Sequence, residues 1–224
     1  MLKLSKNIEV PDGLYPWLER NRNKLINEIE NKYIDAESGY LNQIEISDKI
    51  KLIRPYNNEE VEIQVIIVPK ETFAERGWSI RYDGYAESIP KVIWLNADNL
   101  HRKIRSSEWD RYIKYLMTHE VTHILDPKLY KKEVPSTEHL PYYNRPHEFD
   151  AHSAQLSRVI RDKYSPERIL EMLRSNVLEI HPKRHKALDA WTLDQLRKFK
   201  IRLYQDIMRD LEETKEEQII FKEE

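Results

Sequence analysis

The sequence predicts an α+β fold: a small mixed sheet, a helix packed against it and a mostly helical C-terminal part. Two observations carry this. Strand-like segments rich in Ile, Val, Trp and Tyr are confined to one block, residues 49–98. Apolar residues at helical spacing dominate the chain after residue 106. The resulting order is helix, sheet, then helices, within one domain spanning residues 1–224.

The elements follow in order. "VPDGLYPWLERNRNKLINEIENKYIDA" repeats Leu18, Leu25, Ile26 and Ile29 at roughly helical spacing, so residues 1–48 form a helical N-terminal segment. "IKLIRP", "EVEIQVIIVP", "WSIRYDGYAE" and "KVIWLNAD" read as strands bounded by Pro, Gly and Asn. "SSEWDRYIKYLMTHEVTHIL" opens a helix with Ser106 or Ser107 as cap and Glu108 and Asp110 in the first turn. It stops at Asp126-Pro127, because a residue before proline leaves the helical region. A polar loop runs over 127–145, and Pro146 opens a second helix to about residue 163, so 106–163 holds this helix pair. The segment 165–217 adds two more: "SPERILEMLRSN" with Ser165 as cap, and one long helix over "ALDAWTLDQLRKFKIRLYQDIMRDLEE". The basic stripe "RKFKIRLYQ" reads as a solvated helix face, because "DIMRDLEE" follows at once.

Composition narrows the function. The chain carries 34% charged residues and a formal net charge of −2, which disfavours nucleic acid as a partner by bulk electrostatics. It has no cysteine, so any zinc site uses histidines and carboxylates. The longest apolar run is "VIIV" at 65–68, far short of the ~18 residues a membrane helix needs. The N-terminus lacks a signal-peptide core, so a cytoplasmic protein with no membrane partner is expected.

The chemistry concentrates in "LMTHEVTHILDP". On a helix His119 and His123 lie one turn apart on one face, where two imidazoles grip one ion. Glu120 is rotated off that line, placed to take a proton from an activated water rather than to bind metal. Ile113, Met117 and Ile124 form a separate core face, so the histidines are not needed as filler. Chance produces this order in about one such sequence in thirty, so a second constellation is required. "RPHEFDAHSAQ" provides it: Glu148 in the first turn of the next helix is a third ligand, and His152 on the same face is the alternative. Tyr130, His139, Tyr142 and Tyr143 are the loop donors available to an oxyanion, with Tyr142 favoured. His181 and His185 are also four apart, but the intervening proline argues against a second site.

"THEVTHILD" followed by "RPHEFDA" resembles the zincin metallopeptidases, and among them the gluzincins, whose third ligand is a glutamate on the following helix. The pairing of H-E-x-x-H with E-x-x-A looks like the ImmA/IrrE-type peptidases, and H-E-x-x-H-x-x-D is similar to the zinc domain of lethal-factor-type toxins. The resemblance covers about residues 90–155. It implies a zincin-like fold, zinc as cofactor on His119, His123 and Glu148, Glu120 as general base, and hydrolysis of a protein or peptide substrate. It also implies an edge strand at Ile89–Asn96 to which an extended substrate adds. Lethal-factor-type enzymes have a functional tyrosine where Tyr142 and Tyr143 stand. The chain departs from the pattern at His152, where many gluzincins place an aspartate, which leaves Asp126 and Asp150 to support the ligands. The helix-turn-helix common in ImmA/IrrE-type proteins is not evident. The alternative function is a catalytically silent zincin-fold binding or structural protein of a virus or mobile element.

Overall fold

The structure is a computed structural model and describes residues 46–53, 60–104, 106–125, 139–178 and 186–220. The expected N-terminal helix, Tyr130, Asp126, His181 and His185 lie outside the described residues. The chain divides into two compact units, residues 1–134 and 135–224, each taken by itself below.

In the first unit four strands form one sheet: β1 (Ile46–Ile53), β2 (Glu60–Val68), β3 (Gly84–Ser88) and β4 (Lys91–Asn96). Their order is β1-β2-β4-β3. β1 and β2 pair antiparallel, β2 and β4 parallel, β4 and β3 antiparallel, so the sheet is mixed as expected. The apolar run at the end of β2 is explained by burial on both faces. Ile63, Val65 and Ile67 join Ile93 and Leu95 in a core shared with the helix that follows, while Ile66, Val68, Val92 and Trp94 pack with Phe73 on the other face.

Two expectations for this block are corrected. A helix, α1 (Lys70–Glu75), interrupts it; its one buried residue, Phe73, is too faint a periodicity to read from sequence. Gly77 ends this helix at φ 76°, with Trp78 donating to the Phe73 carbonyl and Gly77 to that of Ala74, a glycine-terminated helix end. The strand expected from Trp78 therefore begins only at Gly84. Residues 80–82 are held as a turn instead: the Asn96 and Asn99 side-chain amides donate to the Ile80 and Tyr82 carbonyls. The second correction concerns the edge. Ile89 and Pro90 form the turn, and β4 is an inner strand with β2 on one side and β3 on the other. The edge beside the metal-motif helix is β3, whose five residues are all half-buried.

Two helices complete the described part of this unit, α2 (Ala97–Ile104) and α3 (Trp109–Leu125). Ser106 Oγ accepts the Glu108 N–H at 3.1 Å, so the expected cap operates within two residues of the helix start. α3 is not the two-faced helix the sequence suggests. Every residue from Leu116 to Thr122 is buried, because the helix is central to the unit's core. Thr118 and Thr122 enter that core by donating to the Lys114 and Thr118 carbonyls.

The second unit is helical: a 3-10 turn (Tyr142–Asn144), α4 (Pro146–Arg161), α5 (Pro166–Arg174), α6 (Lys186–Ala190) and α7 (Leu193–Ile220). Pro146 occupies the first turn of α4 and Ser165 caps α5 by accepting the Arg168 N–H, as expected. The long helix expected over 187–213 is broken at Trp191-Thr192. Thr192 caps α7 by accepting the Gln195 N–H, and the Gln195 side chain accepts the Thr192 N–H in return. The basic stripe is solvated at Arg197 and Lys198, as expected, but not throughout. Asp206 is buried and Arg202 half-buried between α4 and α7, where Ser157 donates to Asp206 at 2.5 Å and Arg202 donates to the Asp150 carbonyl.

Candidate functional site

The motif residues sit at the core of the first unit. His119 is 7% exposed and Glu120 5%, in a helix whose neighbours are aliphatic. Burying two ionisable side chains in such a place is costly unless a partner or a ligand compensates. The two imidazoles meet edge-on, with ring centres 4.8 Å apart and their Nε2 atoms 3.1 Å apart. A tetrahedral ion with metal–nitrogen bonds of about 2.0–2.1 Å holds two ligand nitrogens about 3.3–3.4 Å apart. The pair therefore converges as two ligands of one ion would. In the absence of an ion the same contact is a ring N–H···N hydrogen bond whose direction follows the tautomer.

Glu120 is directed against the edge strand. A Cβ built on Gly84 would stand 2.9 Å from Glu120 Oε1 and 3.1 Å from its Cγ and Cδ. Only a residue without a side chain lets the carboxylate lie there. Two turns earlier on α3, burial and then the neighbouring Asp83 carboxylate raise the Tyr112 phenol well above its ordinary value, and the Glu120 charge adds to this. Gly84, Asp83 and Tyr112 escaped sequence reasoning. The available signal was a glycine inside a strand-like segment, which marks a close backbone approach.

No protein-family model, curated protein or solved structure matches this chain.

The second unit brings the remaining candidates together. Glu148, 8% exposed, lies in the first turn of α4, and His152 stands one turn on, with its Nε2 3.9 Å from Glu148 Oε2. His147 Nε2 lies 3.7 Å from the other oxygen. Both tyrosine rings contact His152, Tyr142 at 5.9 Å and Tyr143 at 5.0 Å between centres. They differ in surroundings. The Tyr143 carbonyl accepts the Trp191 indole N–H and its ring packs on the unit's core, whereas Tyr142 is 38% exposed. Tyr142 is thus the more exposed of the two. Asn144 and Gln195 bind each other through two hydrogen bonds, which hold the tyrosine turn at the start of α7. His139 is exposed. Asp150 keeps its helix against α7 through its carbonyl.

His119, Glu148 and His152 are each able to offer a ligand atom to a metal ion. With no cysteine in the chain, the donors are imidazoles and carboxylates, a set that suits zinc. No described helix is long and apolar enough to cross a membrane.

Proposed function

We propose that the chain is a zinc-dependent peptidase of the zincin kind, with His119, His123 and Glu148 as metal ligands, Glu120 as general base and Tyr142 as oxyanion donor. The observation that carries this reading is the pair of imidazole nitrogens 3.1 Å apart on a helix that also buries Glu120. Zinc, when bound, lowers the pKa of a water towards ~7 and polarises a carbonyl. The chain's own residues supply the rest. Glu120 takes the water proton and passes it to the leaving amine, a shuttle that requires a carboxylate held in one place. Its contact with Gly84 provides that restraint. The outer edge of β3, a terminal strand of the described sheet, offers main-chain donors and acceptors to an extended peptide. The Tyr142 hydroxyl donates to the developing oxyanion. His152 stands where many gluzincins place an aspartate that orients a ligand histidine; here, 3.9 Å from the Glu148 carboxylate, it supports that ligand instead.

The test begins with metal analysis of protein purified without a histidine tag. About one equivalent of zinc is expected; less than about half, with no affinity on titration, removes the site. Glu120→Gln should keep the zinc and lower peptide-library hydrolysis at least about 10²-fold. If that variant keeps full biological activity while His119→Ala unfolds the chain, the metal is structural and the catalytically silent reading holds.

A further inference from the structure

A cleft of about 1020 Å³ opens in the first unit, between the start of α1, the turn at 80–83 and α2. It is lined by four basic side chains, Lys70, Arg81, Arg102 and Lys103, and by two acids, Asp83 and Asp98. The acids are already engaged. Asp98 accepts the Lys70 main-chain N–H at 2.9 Å and stands 3.8 Å from its ammonium, and Asp83 faces the buried Tyr112 phenol. Arg102 donates to the Asn99 side-chain oxygen, and the Lys103 ammonium lies 5.5 Å above the Tyr112 ring. Among the described residues, none of Arg81, Arg102 and Lys103 meets a carboxylate, and all three are exposed. Four cations against two carboxylates leave the cleft a net charge of +2, on a chain whose net charge is −2.

Its position gives the surplus a meaning. Asp83 lines the cleft and the next residue, Gly84, begins the edge strand and touches Glu120. The edge strand thus begins one residue from the cleft lining. We infer that the cleft binds carboxylate side chains of an acidic peptide segment, selecting the substrate of the proposed peptidase. The inference rests on that reading for the fate of the segment, but not for its binding. A peptide fits better than a nucleic acid. The chain's net charge of −2 disfavours an extended polyanion, whereas a short acidic segment meets only the cleft. The exposed Ile80 at the rim, half accessible, suits a chain that carries apolar residues between its acids.

Fluorescence anisotropy with labelled decapeptides tests this in the full chain carrying Glu120→Gln, so that a bound segment is not consumed. A glutamate-rich peptide should bind saturably at about 50 mM salt and weaken several-fold at about 300 mM. The double reversal Arg81→Glu, Lys103→Glu, at two exposed positions, should weaken it at least about tenfold with thermal midpoint and zinc content unchanged. A lysine-rich counterpart should not bind. Equal affinity for the two peptides, absence of saturable binding or indifference to the charge reversal overturns the inference. So does tighter, reversal-sensitive binding of a single-stranded RNA oligomer. If the wild-type chain hydrolyses no peptide yet shows the acidic selectivity, the peptidase reading fails and the cleft stands. Hydrolysis without acidic preference overturns the cleft and leaves the peptidase reading in place.

Discussion

At position 84 a single missing methyl group governs where a carboxylate sits. Glu120 gains its place because the edge strand presents bare backbone to it. Gly84→Ala puts a Cβ within 2.9 Å of Oε1, and what yields is the end of a flexible side chain rather than main chain. The fold should survive and the carboxylate should move. Hydrolysis is expected to fall about 10²-fold, the usual cost of misplacing a reacting group by about 1 Å, with zinc content unchanged by metal analysis. Loss of zinc together with activity would show that the substitution acts on the helix as a whole. The motif "HEVTH" was readable from the sequence because helical spacing is local. Gly84 was not, because its meaning comes from a helix residue 36 positions away in the chain.

Among the elements, α4 and α7 are joined by charge as well as by apolar packing. Arg161 of α4 pairs with Asp210 and Ser157 donates to Asp206, which Arg209 holds from within α7. Burial lowers the pKa of Arg202, and the Asp206 and Asp150 carboxylates counter that loss. Asp206→Ala leaves half-buried guanidinium groups without their carboxylate, so it should cost about 1–3 kcal/mol, measured by urea unfolding of the full chain. A loss below about 1 kcal/mol would mean that water or Asp150 satisfies the cations instead. The periodicity of "RKFKIRLYQDIMRD" located this helix but not its polar interior, since a stripe of charge looks alike whether it faces solvent or a partner helix. Capping was the more dependable signal. Ser165-Pro166 started α5 as expected, and "TLDQ" was a legible capping box within what the apolar spacing suggested was one helix.

For the whole molecule, a metal that binds only the folded chain must raise its stability. Zinc at about 100 times its dissociation constant should add about 2.7 kcal/mol, and for a chain of 224 residues each kcal/mol moves the thermal midpoint by about 2–4 °C. Differential scanning calorimetry with and without a chelator reads the shift, and His119→Ala should abolish it. A midpoint indifferent to zinc would count against any metal in the fold. The sequence by itself determined the α+β class, the sheet block, the caps and proline starts of the helices, and the histidine pair on one helical face. Each of these depends on residues within one or two turns of each other. Only the tertiary structure decided that β3 rather than β4 is the edge, that α3 is buried from Leu116 to Thr122, and that Gly84 receives Glu120. Those outcomes depend on which distant segments pair and cover one another, and spacing along the chain carries no record of that.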